Sequence, residues 1–340
     1  MTFSPNRPMA TSRNSTIDIA KFIAAYLVVA IHTQFLCDVS TEAYFVFNLL
    51  ICRLAVPFFA ACTGYFLCLG GGNKWSSCIR QEKKLIMLYL LWTLLYFLYL
   101  LPSWIETDYF SLTACVGYLK SAVLSGSYFH LWYVLDIIYA LPVYYIIIRY
   151  LHQRWWMPLA MVLWMVCALD YGYSWLLPPA VSSVFAYSGK GYELLQSQFV
   201  LLPMMLAGAS IARRSQLLSI RWSGALLLIT FSLLMLEGCM LQSHGHMEVT
   251  RILMIQPVTY SLLSMLLAIP LQSSVAPRLA KLSLIIYCVH PMFCQYSNAA
   301  FSSVPSFFIA STLSTLVAGV WVYVEYKVKL KTKSLQNRNY

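Results

Sequence analysis

Ten runs of apolar residues, each near the ~20 residues that span a bilayer core, occupy most of this 340-residue chain and exclude an ordinary soluble fold. They cover residues 17–37, 44–69, 84–101, 130–151, 155–171, 198–212, 222–238, 251–271, 282–300 and 304–326, with short polar breaks between them. The fold class they predict is all-α: a polytopic membrane helix bundle of about ten transmembrane helices. Charged residues make up only 10% of the chain and hydrophobic residues 60%, which agrees. Residues 1–16 are polar and read as a disordered cytoplasmic tail, 17–326 as the transmembrane domain and 327–340 as a basic cytoplasmic tail.

The formal net charge of +11 raises the question of a nucleic-acid partner, and the placement of the charge answers it. Of the 23 Lys and Arg, 18 fall in the two tails and in alternate breaks or the run ends beside them, all on the inside counted from a cytoplasmic N-terminus. Lys120, Lys190 and Arg251 fall on the other side, and Lys21 and Arg53 lie within runs. That asymmetry is the positive-inside pattern of a membrane protein with both termini cytoplasmic, and no nucleic-acid partner is expected. Arg7 and Arg13 precede an apolar run too long for a signal peptide, so the first span is expected to stay uncleaved. The ten cysteines contain no CxxC pair, and Cys52, Cys62, Cys68, Cys167, Cys288 and Cys294 sit in apolar runs. Neither a disulfide framework nor a metal site is read, and His244, His246 and Glu248 in one outer connection are a weak metal signal. The connections 109–127 and 172–197 are long and partly apolar, and are expected to lie on the membrane surface or fold back onto the bundle.

Ionisable side chains inside spans are costly and mark candidate chemistry. In the first run, DIAKFIAAYLVVAIH, Lys21 and His32 are 11 residues apart, which on a helix is about 16 Å along the axis with about 20° of offset. They share one face, with Asp18 one turn before Lys21. His32 could act as a general base toward a hydroxyl entering from outside; Lys21 could equally line a cavity or snorkel to cytoplasmic phosphates. Asp18 could pair with Lys21 or cap the helix. Arg53 is ten residues into the second run and requires a buried acid or an anionic ligand, with Pro57 and Gly64 expected to interrupt the helix after it. His130, Tyr133 and Asp136 open the fourth span in HLWYVLDII, with Asp136 a candidate partner for Arg53, and His290 precedes Pro291 in LSLIIYCVHPMF. These four, together with Asp18, are candidate site-lining residues. No GxSxG, HExxH, GxGxxG or P-loop pattern is present.

These blocks resemble the acyltransferase 3 family of integral-membrane acyltransferases. The first run is similar to the family's opening signature of a basic residue, ten others and a His; RLAVPFFAACTGYFL is similar to its Arg, Pro and paired Phe block; HLWYVLDII and IYCVHP resemble two later ones. The resemblance implies that His32 is catalytic, and that Lys21 and Arg53 bind an acyl-CoA donor, acetyl-CoA by default, reached from the cytoplasm. It implies an acceptor hydroxyl on a surface glycan or lipid-linked saccharide, no metal, and a multi-pass protein of the bacterial inner membrane. Lys21 stands where the signature has Arg, Thr63 where the second block has Ser, and the family's Arg-Asn before span six is not evident in KGYELLQSQF. A second expectation, from family members attached to amino-acid racemases, is a transporter of a small amino acid or an acylated glycan.

Overall fold

The computed structural model describes residues 14–70, 74–178, 193–245 and 251–336. The N-terminal tail up to residue 13, Lys190, His246, Glu248 and the last four residues lie outside them. Among the described residues every regular element is a helix: α1 (Ser15–His32), α2 (Thr41–Leu69), α3 (Trp75–Glu106), α4 (Leu112–Leu124), α5 (Trp132–Tyr150), α6 (Trp156–Tyr171), α7 (Glu193–Ala212), α8 (Ile220–Ser243), α9 (Ile255–Ala268), α10 (Ala276–Ala300) and α11 (Ser303–Gln336). Six of them, α1, α2, α3, α5, α8 and the Ser303–Lys329 part of α11, are long and apolar enough to cross a membrane. The other four expected spans are also helical, as α6, α7, α9 and α10. The 14 residues of α9 reach only about 21 Å, short of the ~30 Å hydrocarbon core.

The bundle is built around the contact of α2 with α7, where small residues let two backbones touch. A Cβ on Gly64 would fall 1.9 Å from the Met205 carbonyl oxygen, and one on Gly208 1.9 Å from that of Ala61. Only glycine fits at either position, the packing mode by which membrane helices associate without a hydrophobic driving force. Tyr144 of α5 locks the same place, its hydroxyl donating to the Gly64 carbonyl at 2.5 Å. Around this core α1 packs on α10 and α10 on α11. Helices α3, α8 and α11 are peripheral and turn large apolar side chains outward, such as Met87, Leu228 and Val320, as lipid-facing helices do. The 109–127 connection holds α4, which buries Ala114, Tyr118 and Ala122 at a four-residue repeat. Tyr89 and Tyr118 bond α3 to it through the Ala122 and Thr93 carbonyls.

Two local expectations are corrected. The cap of α1 is Asn14, whose side chain accepts from the Ile17 N–H, so the helix begins two residues earlier than expected and Asp18 is a buried first-turn residue. Pro57 and Gly64 do not interrupt α2, because Pro57 falls in the first turn of the regular Ala55–Leu69 segment. The irregularity lies before them, as a π-helical segment Phe45–Ile51 and a 3-10 turn Cys52–Leu54. Pro57 offers no N–H to the Arg53 carbonyl four residues back, consistent with a break in the regular ladder there.

Candidate active site

Helix α1 carries Lys21 and His32 at opposite ends, about 16 Å apart along one continuous helix. Its start is tied to the end of α9, with the Thr16 hydroxyl donating to the Ile269 carbonyl at 2.9 Å. The half-buried Lys21 lies 4.9 Å from the centre of the Phe66 ring, and the charges of Lys21 and Asp18 both reach Cys62. Lys21 therefore rests against α2, not extended along the lipid boundary. Thr63, one residue on from Cys62, donates its hydroxyl to the Phe59 carbonyl of its own helix at 2.9 Å.

The far end of α1 is held from three sides. Asn48, in the π-helical part of α2, donates to the Ala30 carbonyl at 2.8 Å, and Asn298 of α10 donates to the His32 carbonyl at 2.9 Å. Just beyond His32, Gln34 and Leu36 adopt positive φ of 50° and 75°, a conformation that costs non-glycine residues about 1–3 kcal/mol each. Ser303 at the start of α11 holds that turn. Its hydroxyl accepts from the Leu36 N–H at 3.1 Å and donates to Asp38, and its backbone N–H donates to the same carboxylate at 3.0 Å.

At this end three histidines from distant parts of the sequence meet. The His32 ring lies 5.1 Å from that of His290 and 4.9 Å from Phe129, and the His130 and His290 rings are 5.4 Å apart. His130 and His290 are fully buried, whereas His32 is half-buried. Arg53, in the 3-10 turn of α2, is close enough for its charge to act on His32. Tyr287 packs against both His130 and Tyr133, and its hydroxyl donates to the His130 carbonyl. Asp136 is buried one turn further along α5, within electrostatic reach of Tyr287. Every candidate from the sequence thus lies along one interior column, with His32, Arg53, His130 and His290 at one end, Tyr133 and Asp136 between, and Lys21 and Asp18 at the other.

The ring of His290 has a defined proton. Its Nδ1 is 2.7 Å from the Tyr287 carbonyl oxygen and 3.2 Å from that of Ile286, and because carbonyls only accept, Nδ1 carries the hydrogen. Pro291 makes this possible: lacking an N–H, it leaves the Tyr287 carbonyl without its helical donor, and the imidazole takes that place. Nε2 of His290 and both ring nitrogens of His130 are buried with no hydrogen-bond partner among the described residues. Histidines so placed can accept hydrogen bonds from a ligand or from each other.

Some of the site was not read from the sequence. Tyr287 lies three residues before His290 in a run already singled out, so helical spacing could have flagged it. Asn48 and Asn298 carried no local signal, because each acts on a carbonyl of α1 far away in sequence. An apolar cavity of about 570 Å³ runs between α1, α2, α8 and α9, walled by residues such as Ala24, Leu54, Phe58, Leu228 and Leu262. None of the candidate residues lines it, since Ala24 and Leu27 lie on a different side of α1 from Lys21 and His32. Among the described residues no group of His, Cys, Asp and Glu is placed to hold a metal ion.

The profile of the family described as "Acyltransferase domain", acyltransferase 3, matches residues 14–324. Among curated proteins, an amino-acid racemase of Enterococcus faecalis is 31% identical over 153 residues, 45% of this chain and 21% of the relative. A serine/alanine racemase of Enterococcus gallinarum is 36% identical over 129 residues, 36% of this chain and 18% of the relative. The matched stretches span about a fifth of the length of these relatives. No solved structure matches.

Proposed function

The chain belongs to the acyltransferase 3 family, and on that premise we propose that it is a membrane-embedded O-acyltransferase that moves an acyl group from cytoplasmic acyl-CoA to a hydroxyl of a surface glycan or lipid-linked saccharide. Acetyl-CoA is the default donor, and the protein sits in a bacterial inner membrane with about ten spans and both termini inside. His32 removes the proton of the acceptor hydroxyl as its oxygen attacks the thioester carbonyl carbon. The C–S bond then breaks, and the imidazolium returns the proton to the departing thiolate. Lys21 holds donor phosphates at the cytoplasmic end and Arg53 holds the donor beside His32, in a place its charge already reaches. The observation that carries this reading is α1 itself: a cation and a histidine about 16 Å apart on one helix, suited to the two ends of a pantetheine arm.

The test is acetyl-CoA binding and thiol release by purified protein. His32→Ala should lower turnover by about 10²–10⁴-fold with donor affinity retained. Arg53→Ala should weaken donor binding by about 10–100-fold, the worth of a charge-assisted hydrogen bond. Absence of binding by the wild type across a series of acyl lengths would overturn the reading.

One observation favours a second reading. The curated relatives are named for acting on amino acids, which suits a carrier of a small amino acid. A carrier would keep its transport in His32→Ala and would not release thiol from acetyl-CoA at all.

A further inference from the structure

His290 is fully buried, its Nδ1 proton is committed to backbone carbonyls of its own helix, and its Nε2 has no partner among the described residues. That nitrogen is therefore a lone-pair acceptor facing a site that must supply a donor. Two imidazoles border it, and the nearer is His32, with ring centres 5.1 Å apart. An edge-to-edge N–H···N bond of about 2.9 Å between two imidazoles requires about that separation, so a turn of the half-buried His32 ring completes it. The backbone is fixed for the purpose, because α10 carries His290 and, two turns on, Asn298, which holds the His32 carbonyl at 2.9 Å.

We propose that His290 is the positioning residue of His32: its Nε2 accepts the ring N–H of His32, fixing one His32 tautomer and turning the other His32 nitrogen, as an acceptor, toward the substrate hydroxyl. The chain of bonds runs from the Tyr287 carbonyl through His290 to His32 and then to the acceptor. When the substrate proton moves to His32, both His32 nitrogens carry hydrogen, and the one facing His290 remains bonded to a neutral imidazole. No proton need leave His290. The inference rests on the acyltransferase reading for its substrate but not for its geometry. It also gives Pro291 a task, since the carbonyl that orients His290 is free only because residue 291 has no N–H.

Two isosteres separate the halves of the ring. In His290→Asn the amide nitrogen can replace Nδ1–H toward the Tyr287 carbonyl, but nothing replaces Nε2. In His290→Gln an amide oxygen can replace Nε2 as the acceptor. If His290 positions His32, turnover of acetyl-CoA falls about 100-fold or more in His290→Asn and stays within about tenfold of wild type in His290→Gln, with donor affinity unchanged in both. Equal activity in His290→Asn and wild type, or rescue by Asn and not by Gln, would overturn the proposal and leave His290 a structural bond. A second readout does not need activity: ¹⁵N spectra of histidine-labelled protein in lipid nanodiscs. They should show His32 in one tautomer in the wild type and in both in His290→Asn. Pro291→Ala, which touches neither ring, should restore a competing N–H to Tyr287 and release the His290 tautomer. A mixed His32 tautomer in the wild type sinks the inference even if the enzyme is active, and a single tautomer in a protein without thiol release upholds it while the acyltransferase reading fails.

Discussion

Two buried polar clusters of this protein use their hydrogen-bonding groups in opposite ways. Glu237, near the end of α8, is buried and saturated: it accepts from the Leu253 N–H at 2.7 Å, the Met254 N–H at 2.8 Å and the Tyr173 hydroxyl. Those two amides lead into α9, so the carboxylate satisfies donors at a helix start and meets its negative charge with the positive end of the helix. His130 and His290 are as deeply buried but leave three ring nitrogens without partners among the described residues. An unsatisfied buried polar group costs about 1–3 kcal/mol, and the interior that bonds Glu237 with three donors carries that cost at the histidines, as it does at a few other buried atoms such as Trp92 Nε1 and Gln256 Nε2. The contrast separates a carboxylate that builds the fold from imidazoles that await something else. Burial alone would have grouped the two.

The largest effect that would test this contrast is at Glu237. Replacing it by Ala leaves two amides and a tyrosine hydroxyl unpaired and should cost about 3–5 kcal/mol of stability, read as a fall in thermal midpoint in detergent. The molecules that remain folded should keep thiol release near the wild-type rate. A Glu237→Ala protein of normal stability and no activity would reverse the assignment.

The opposite signature is expected at His130. His130→Phe removes two unpartnered nitrogens and keeps a ring against Tyr96 and Tyr287, whose centres lie 5.0 and 5.5 Å away. Stability should be unchanged or rise by about 1–2 kcal/mol, while acetyl-CoA turnover falls. A destabilisation as large as that of Glu237→Ala would show that His130 is structural after all.

These two clusters were not equally legible in the sequence. The pairing of Lys21 with His32 follows from their spacing on one helix, and the helix is there. The apolar runs predict helices, and each of the ten coincides with one, although α9 is shorter than its run, with Glu237 capturing Leu253 and Met254 just before its start. The meeting of His32, His130 and His290 was not readable, since about 100 to 160 residues separate the segments and only the packing of α10 against α1 joins two of them. Nothing in the sequence singles out Glu237, because a carboxylate that caps another helix leaves no local pattern. The break in α2 was misplaced for a related reason: a proline acts on the carbonyl four residues before it, so Pro57 points to Arg53 and not to the helix after it.

The smallest expected effect concerns a second carboxylate, the exposed Asp38, at the histidine end of the bundle. The Ser303 hydroxyl and backbone N–H bond Asp38 and hold its carboxyl below the usual range for aspartate. A pKa depressed in the folded state means stabilisation that is present above the unfolded value, near 4, and lost as pH falls through the lowered folded value. The thermal midpoints of wild type and Asp38→Asn should therefore differ slightly at pH 7 and converge as pH is lowered from about 5 toward 3. Because the tie reaches His32 only through the strained turn at Gln34 and Leu36, thiol release in Asp38→Asn should change by less than about tenfold. A larger loss would mean that the turn after α1, and not α10, sets the position of the His32 ring, and would move the weight of the comparison from the buried histidines to the exposed carboxylate beside them.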